Sequence, residues 1–462
     1  MSAFPMRSVL VVVIAGALLA CGNAPSIAVS DSARLFVATN GSDAAAGSLQ
    51  RPLRTLQRAV DRARPGTTVY VRGGQYAGFQ ATRSGRPGKP ITIKAYSQHG
   101  RPVISQLGEG RNVIELRRVH DVILDGLTVT GAPDQWGAGV RIDASSAIRV
   151  MRMTLVRNRS YGIKVKDSRD VRVTRNRITR NETGVEISRE GEGVVIAGND
   201  IFRNDRLIIS DPEPGNDRGA NGTVFHKTTG RIRVTGNRIW GNRGRSHDYG
   251  HDGGAFEVYA ASDLEISRNV VWDNENVMET GTDGSAPCAH NRFFRNVAYA
   301  GGRLPSGGLI LRCASDMLVA NNTLAGLDRF AFDVTADDRR YGGSVAGLRI
   351  VNNVASSPDR VYSIDSRLPA TVKIDRNLAF NPTGGWLGYV SGHGNTRELA
   401  VFSKWSGYER SGLATAPLFR DAVRHDYRLS SGSPALDRGL RVRGVTDRVH
   451  GAGPDLGRWE MG

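Results

Sequence analysis

A short motif recurs in the middle of the chain, and its spacing constrains the fold more than any other feature. Glu257 lies between two apolar residues, and 22 residues later Glu279 lies in a similar setting between Met278 and Thr280. Short apolar runs that repeat every ~20–30 residues are typical of a solenoid, in which each repeat forms one coil. Equivalent positions of neighbouring coils lie one strand spacing apart, about 4.8 Å. We therefore predict that Glu257 and Glu279 are neighbours on the outside of one parallel sheet.

Asparagines recur with the same repeat. Each precedes an apolar turn, and successive members are between 22 and 38 residues apart. The set is Asn176, Asn199, Asn237, Asn269, Asn291, Asn322, Asn353 and Asn377. Stacked asparagine amides can bond backbone groups of neighbouring coils, so we assign these residues a structural role. The longer intervals predict loops inserted into the coils.

Counting back from each asparagine predicts one row of outward-facing side chains. The row is basic at its ends and acidic in its centre, and consists of Arg141, Lys164, Glu186, His226, Glu257, Glu279, Arg312 and Asp333. Two long segments, 205–222 and 241–254, interrupt the coils beside it and are expected to form the walls of a groove. Two adjacent outward carboxylates repel each other, which favours a metal site or an acid/base pair. The alternative is an ordinary solvated face.

Composition narrows the class of partner. The chain has 462 residues, more than one compact core normally holds, and a net charge of +17. An excess of arginine favours polyanionic partners. Because no basic block is interleaved with aromatic residues, we expect no nucleic acid partner, which leaves an acidic polysaccharide. We expect a monomer.

The N-terminus predicts export. Arg7 precedes an apolar run over 9–20, too short to span a bilayer, and the run ends at Cys21. This arrangement resembles a bacterial lipoprotein signal over 1–20 with lipidation of Cys21, followed by a tether over 21–32. The expected location is the bacterial cell envelope, at the outer membrane or cell surface, through the lipid. The alternative is an ordinary secretory signal.

Two further cysteines remain in the exported part. Export permits a disulfide between Cys288 and Cys313. Their offsets within the repeat, however, place them on different faces of the coil. The sequence therefore favours a buried pair of free thiols.

Both ends of the chain carry segments that resemble a known superfamily. A helical pattern over 53–64 precedes strand-like runs, and the matching segments are 55–60, 65–71, 74–76 and 90–93 near the start and 426–429, 432–437 and 454–457 near the end. They resemble right-handed parallel β-helix proteins of the pectin-lyase-like superfamily. We therefore predict an all-β, single-stranded right-handed parallel β-helix over 33–380, with the 53–64 helix as N-terminal cap. Residues 381–462 are expected to form a C-terminal extension packed on the helix.

The resemblance implies a reaction class. The superfamily includes lyases of acidic polysaccharides, glycoside hydrolases, uronate epimerases and adhesins without activity. Our first hypothesis is a lyase that cleaves a uronate-containing polysaccharide by β-elimination. The resemblance then implies Ca²⁺ held by Glu186 and Asp252 together with Glu257 and Glu279, and a base supplied by Lys164, His226 or Arg312.

A glycoside hydrolase is the alternative hypothesis, with Glu257 and Glu279 as the carboxyl pair. In either case we expect the substrate to be bound by charged residues at the ends of the row and by nearby aromatic rings that stack on sugars. These residues are Arg141, Asp333, Trp240, Tyr249, Tyr259 and Trp272. A glycan-binding surface protein without activity is the third hypothesis.

Lipidation of Cys21 has a direct test. Cys21→Ser removes the only thiol at the end of the signal, so the protein should move from the membrane fraction to the soluble fraction. Fractionation of the bacterial host with an immunoblot measures the distribution, and Cys288→Ser serves as the control. Membrane association that survives Cys21→Ser would contradict the lipid anchor.

Overall fold

The computed structural model describes residue 1 and residues 34–461, except for 97–99, 106–110, 134, 215–216, 303–304 and 337–341. Apart from Met1, the predicted signal lies outside the described residues, as do the tether and Cys21. Within the described part, no helix is both long enough and apolar enough to span a membrane.

Three long parallel sheets wind around one apolar core. Each coil contributes one strand to each sheet, and every strand pairs with the equivalent strand one coil away. The predicted all-β right-handed parallel β-helix is confirmed. Apolar side chains point inward at alternate positions along the strands, which is the periodicity that the sequence predicted.

Sheet A contains 13 strands within the described residues. They are β1 (Arg34–Val37), β2 (Thr68–Val71), β5 (Ile91–Ala95), β8 (His120–Asp125), β11 (Ser146–Met151), β14 (Arg172–Thr174), β17 (Val195–Ala197), β20 (Ile232–Thr235), β24 (Leu264–Ser267), β27 (Arg292–Phe294), β30 (Leu318–Ala320), β33 (Arg349–Val351) and β36 (Lys373–Asp375).

Sheet B follows sheet A in each coil and has 12 strands in the described part. They are β3 (Gly74–Ala77), β6 (Pro102–Ser105), β9 (Thr128–Thr130), β12 (Thr154–Val156), β15 (Arg177–Thr179), β18 (Asp200–Phe202), β21 (Arg238–Trp240), β25 (Val270–Trp272), β28 (Val297–Tyr299), β31 (Thr323–Ala325), β34 (Val354–Ser356) and β37 (Leu378–Phe380).

Sheet C completes the coil and carries the predicted row of charges. Its parallel strands are β4 (Phe79–Ala81), β7 (Ile114–Arg117), β10 (Ala138–Asp143), β13 (Tyr161–Lys166), β16 (Thr183–Glu190), β19 (Ala220–Thr229), β23 (Gly250–Tyr259), β26 (Asn276–Gly281), β29 (Gly307–Leu311), β32 (Phe330–Val334), β35 (Arg360–Ile364) and β38 (Trp386–Val390). Strand β39 (Gly394–Thr396) is antiparallel to β38, and β22 (Gly244–Ser246) is antiparallel to β23.

The N-terminal helix α1 spans Leu56–Arg62, shorter than the predicted 53–64. It begins there because the Thr55 side chain accepts a hydrogen bond from the Arg58 N–H, which is the geometry of an N-cap. It ends because Ala63 is extended. Leu56, Ala59 and Val60 are buried, so one face of the helix covers the first coils.

The C-terminal segment packs on the later coils. Helix α2 (Leu399–Ser406) places Phe402 against Tyr362 of β35 with ring centroids 4.9 Å apart. The hairpin of β40 (Phe419–Asp421) and β41 (Asp426–Leu429), with a 3₁₀ turn over Ala422–Arg424 between them, lies against sheet B.

Asparagine ladders fix the register of successive coils, as the sequence predicted, but with one wrong member. In the ladder between sheets A and B, the amide of each asparagine donates to the next, from Asn176 through Asn269 to Asn377. Asn296, not Asn291, follows Asn269 in this ladder. The Asn291 side chain instead accepts a hydrogen bond from Leu264 N–H.

The wrong member has a physical reason. The coil measures 22 residues from Glu257 to Glu279 on sheet C, but 27 from Asn269 to Asn296 at the turn, because the loop after β26 adds five residues. A second ladder, which the sequence analysis missed, joins Asn158, Asn181, Asn204, Asn242 and Asn274 between sheets B and C.

The two internal cysteines form a disulfide, so the expectation of free thiols was wrong. Cys288 and Cys313 are buried with their Cα atoms 5.4 Å apart. The same five-residue loop explains the error, because it moves Cys288 away from the face that a constant 22-residue repeat assigns to it. The bond ties this loop to the coil that follows.

Glu409 ends the asparagine ladder. Its buried carboxyl group accepts hydrogen bonds from the Asn377 side-chain amide at 2.6 Å, from the Asn377 N–H at 3.2 Å and from the Tyr362 hydroxyl at 2.8 Å. Glu409 therefore occupies the position that the next asparagine of the ladder would take.

We predict that Glu409→Ala destabilises the last coils. Buried donors left without an acceptor cost about 1–3 kcal/mol each, so the free energy of unfolding should fall by roughly 3 kcal/mol. Urea unfolding measures the change, and Glu398→Ala, an exposed glutamate at the start of α2, is the control. A Glu409→Ala protein as stable as the control would show that the ladder needs no cap.

Candidate active site

The centre of the site is a pair of glutamates on neighbouring strands of sheet C. Glu257 of β23 is in register with Glu279 of β26. Both lie between buried residues and are themselves partly exposed, so their carboxyl groups point out of the helix. This is the arrangement that the 22-residue spacing predicted.

The register shows which predicted residues share the row. Paired strands place six further residues in the same row as Glu257 and Glu279. Arg141, Lys164, Glu186 and Val224 precede Glu257 in the row, and Ile310 and Asp333 follow Glu279. One end of the row is basic, as predicted, whereas Asp333 makes the other end acidic. Two apolar residues stand where His226 and Arg312 were expected.

The assignments of His226 and Arg312 to the row were wrong by two residues. His226 pairs with Ser188 and Tyr259, and Arg312 lies two residues after Ile310, just beyond β29. The insertions in these coils lengthen the segment between sheets, so counting from the asparagines misplaces both. A shift of two residues along a strand keeps a side chain on the same face of the sheet, so His226 and Arg312 still lie on the face that carries the glutamates.

The two glutamates have different partners. The Asn221 side-chain amide donates a hydrogen bond of 2.5 Å to the Glu257 carboxyl group. The Arg312 guanidinium donates one of 2.7 Å to the carboxylate of Glu279. A cation stabilises the charged form of a carboxyl group, whereas a neutral amide does so far less. The environment therefore separates the protonation states of the pair.

Although part of the Glu257 side chain is exposed, the residues packed around its carboxyl group exclude water from it, and this is the main reason that Glu257 retains its proton. Burial, followed by repulsion from Glu279 and Asp252, raises the pKa of Glu257 to about 8. Burial and Glu279 likewise raise the pKa of Asp252 to about 7. At neutral pH Glu257 is thus mainly a neutral acid beside Glu279, whose partner is a cation.

A cationic group flanks the pair on the preceding coils. Lys164 lies 2.9 Å from the buried carboxylate of Glu186, and its ammonium lies 4.1 Å from the centre of the Tyr161 ring. Although burial disfavours its charge, Arg218 has a raised pKa because Tyr161, Glu182 and Glu186 stabilise the cation. Arg218 also lowers the pKa of Glu257, so the two side chains are electrostatically coupled.

His226 is poised as a neutral imidazole. Although the His226 side chain is exposed at the surface, desolvation by the residues around it lowers its pKa, and the neighbouring Lys227, Arg218 and Lys164 lower the pKa further against the opposing effect of Glu186. Its ring stacks on Tyr259 at 5.6 Å. A neutral imidazole can accept a proton at physiological pH.

Two loops form the walls of the groove, as the sequence predicted. Asp217 connects them, because its carboxylate accepts hydrogen bonds from Ser246 at 2.5 Å and from Asp248 N–H at 3.1 Å. The hairpin of β22 and β23 then places Asp252 near the glutamates. Arg218 at the end of the first loop stacks on Trp136 at 4.8 Å.

Two of the predicted aromatic residues lie elsewhere. Trp240 and Trp272 belong to sheet B, so the expectation that they line this groove was wrong. Their rings stack on each other at 4.7 Å, in a ladder that continues to Phe202 and Tyr299. Since their faces are already covered by neighbouring rings, only edges remain for a ligand.

The remaining predicted residues lie on sheet C or on the walls. Tyr259 is two residues beyond Glu257 on the same face of β23, and Tyr249 is exposed at the tip of the second wall loop. Asp333 has a pKa raised by burial, while Arg141 lies 3.7 Å from Asp143.

Sequence reasoning missed Arg218, Asn221, Tyr161 and Glu182. Arg218 and Asn221 come from the long loop and from the start of β19, where no repeat predicts a position. Tyr161 and Glu182 precede the predicted row by a few residues. A count of the positions next to the row would have found them, but nothing in their type distinguishes them from packing residues.

Three of the four carboxyl groups expected to hold calcium have other partners. Glu186 is paired with Lys164, Glu279 with Arg312, and Glu257 accepts from an amide. In the part of the chain that the structure describes, no three carboxylate, histidine or cysteine side chains are grouped to hold a metal ion. These partners compete with a metal ion for the three glutamates, and the calcium site that the resemblance implies stays a prediction.

Comparison with known proteins identifies the family. The family described as "Pel9A-like, right handed beta helix region" matches residues 35–287, more than half of the chain. The chain belongs to this family. The match supports the predicted pectin-lyase-like superfamily.

Individual relatives extend the comparison. The chain is 24% identical over 449 residues to the uncharacterized protein YwoF of Bacillus subtilis, covering 87% of this chain and 92% of that protein. A segment of 68 residues is 43% identical to pectate lyase PEL9 of Emericella nidulans, which is 14% of this chain and 17% of that protein. The solved complex of XylC with xylose superposes with a TM-score of 0.60 at 11% identity, covering 83% and 86% of the two chains, and shows the shared fold.

Proposed function

We propose that this protein is a carbohydrate-active enzyme that hydrolyses glycosidic bonds of an acidic polysaccharide, with Glu257 and Glu279 as the carboxyl pair. The observation that carries the proposal is their register on adjacent strands with unlike partners, an amide for Glu257 and a guanidinium for Glu279. Glycoside hydrolysis requires one carboxylic acid and one carboxylate on either side of the bond.

Each member of the pair has a definite task in this mechanism. The Glu257 carboxyl group donates its proton to the glycosidic oxygen as the bond from that oxygen to the anomeric carbon breaks. The Glu279 carboxylate, held by Arg312, either attacks the anomeric carbon or takes a proton from the attacking water. Asp252 helps to keep Glu257 protonated through charge repulsion.

The charges around the pair support an acidic substrate. Lys164, Arg218 and Arg312 lie on either side of the glutamates, and guanidinium groups match the geometry of a carboxylate. The net charge of +17 acts in the same direction by attracting a polyanion. A pectate lyase shares a similar 68-residue segment, and XylC, which has a similar fold, was solved in complex with the sugar xylose.

β-Elimination is the second candidate. It is favoured by membership of the Pel9A-like family and by the neutral His226 beside Arg218 and Lys164. In that reaction His226 would take the proton next to the sugar carboxylate, while the cations neutralise that carboxylate. A glycan-binding protein without activity would have no need for a pair of carboxyl groups with separated protonation states.

Export and anchoring belong to the same proposal. We infer that the protein acts at the cell envelope, with a lipid on Cys21 holding it at a membrane surface. A soluble polymer would then reach a fixed enzyme, and the products would be released near the cell.

The carboxyl pair can be tested through activity. Glu257→Gln and Glu279→Gln remove the acid and the carboxylate with little change of shape, so turnover should fall by a factor of roughly 100 or more. Glu115→Gln, at the same row position of an earlier coil, is the matched control. Reducing ends are measured on a panel of acidic and neutral polysaccharides, with ultraviolet absorbance as a parallel readout for unsaturated uronate.

The readouts separate the candidates. Reducing ends without absorbance, unchanged by a metal chelator, are the expected result for hydrolysis. Formation of an unsaturated product would show that the reaction is elimination and not hydrolysis. Loss of activity with the chelator, followed by its return with Ca²⁺, would show that the reaction needs calcium. Full activity in both glutamine variants would place the reaction elsewhere in the molecule.

A further inference from the structure

A basic cleft lies beside the groove at the turns between sheets B and C. It has a volume of about 560 Å³ and is lined by Arg157, Arg159 and Arg206, with Leu207 and Ile208 also on its wall. The first two arginines precede β13, which carries Lys164, and the third lies in the first wall loop. All three arginines are exposed.

The positive charge of the cleft has little compensation. Within the described ranges, neither Arg157 nor Arg159 forms an ion pair. Arg206 lies near Asp205, but burial raises the pKa of that carboxyl group even though Arg206, Arg180 and Arg203 act to lower it. Three arginines on one wall outnumber the carboxyl groups of Asp205 and Glu182 beside them, so the cleft is suited to an anionic ligand.

Successive coils repeat the charge along the helix axis. Arg157, Arg180 and Arg203 occupy the same turn position with φ values of 56°, 58° and 48°, and Arg180 N–H donates to Arg203 O at 2.8 Å. Their backbones are about one strand spacing, ~4.8 Å, apart. Like charges at this spacing repel one another, and an extended polyanion lying along the column would relieve the repulsion.

One buried residue connects the cleft to the groove. The Glu182 carboxyl group accepts a hydrogen bond of 3.0 Å from Ile208 N–H in the cleft wall and one of 2.8 Å from Ser160. Its charge also acts on Arg218 beside the glutamate pair. Glu182 therefore links the wall of the cleft electrostatically to Arg218, the cation that acts on Glu257.

We propose that the cleft is a binding subsite for the carboxylate of a uronate residue, in a chain whose scissile bond lies at Glu257. The proposal rests on the proposed function for its position in the substrate, and it assigns recognition of a substrate carboxylate away from the scissile bond to Arg157, Arg159 and Arg206. Planar guanidinium groups with several donors recognise carboxylates through paired hydrogen bonds. The apolar side chains of Leu207 and Ile208 offer the sugar ring a surface away from its charged group.

Binding, measured without turnover, tests the subsite. Calorimetric titration uses Glu257→Gln as the parent protein, with oligosaccharides of galacturonate, glucuronate, mannuronate or guluronate and their methyl esters as probes. Arg157→Ala/Arg159→Ala is compared with Arg172→Ala/Arg175→Ala. The control pair removes the same charge from exposed positions on or next to sheet A, and Arg175 has a φ of 55°, close to the 56° of Arg157.

At least one charged oligosaccharide should bind the parent, and Arg157→Ala/Arg159→Ala should weaken the binding roughly tenfold or more, because charge-assisted hydrogen bonds to the uronate carboxylate are lost. The control pair should change the affinity less than threefold, as a rough limit for screened surface charge. The methyl esters should bind equally weakly to all variants.

Three outcomes would overturn the subsite: no charged probe binds the parent, both double variants weaken binding equally, or the esters bind as tightly as the acids. The proposed function fails on a different result, which is full turnover by Glu257→Gln in otherwise wild-type protein. The two failures are therefore distinguishable. Unchanged urea unfolding of the double variants confirms that the comparison is between folded proteins.

Discussion

Hydrogen bonds between equivalent residues of successive coils are the constraint on which the whole molecule depends. The asparagine ladders hold each turn above the next, with amide-to-amide distances near 3 Å along the stack. Because this fixes the register, a residue pair such as Glu257 and Glu279, distant in sequence, must occupy adjacent positions. The fixed register thus holds two carboxyl groups together that would move apart in a more flexible structure.

This proximity changes the protonation of the carboxyl groups. Glu257 and Asp252 retain protons at pH values where exposed carboxyl groups are ionised, because burial and mutual repulsion disfavour their charged forms. In Glu257 the folded-state pKa lies above that of the unfolded chain, so folding is progressively disfavoured as the pH rises from the lower value to the higher. Such a group reduces stability and is retained where it serves chemistry.

Periodicity predicted more of this molecule than composition did. The 22-residue repeat was enough to predict a solenoid with Glu257 and Glu279 adjacent on a parallel sheet. The long intervals in the repeat predicted the inserted loops, and the resemblance of the two chain ends to known proteins predicted the right-handed β-helix. Counting residues from the asparagines gave wrong positions where an insertion lengthened only one side of a coil. The five residues after β26 displaced Asn291 from the ladder, and they also brought Cys288 to Cys313.

Contacts made by loops lay beyond sequence reasoning altogether. Arg218 and Asn221 act on Glu257 from a segment that has no repeat, and their positions depend on the path of the whole loop. Trp240 and Trp272 were assigned to the groove by chemical type, yet their place in the coil puts them on another sheet. Residue type indicated which side chains could take part in catalysis or binding, but only the strand register showed which of them lie close together.

The protonation state of Glu257 tests the central claim most directly. In protein labelled with ¹³C at the glutamate carboxyl carbons, a pH titration by NMR should show one resonance that titrates with a pKa of about 8. This resonance should disappear in Glu257→Gln, and its midpoint should move to lower pH in Glu279→Gln because a repelling charge is gone. A spectrum in which every glutamate titrates in the ordinary acidic range would contradict the account.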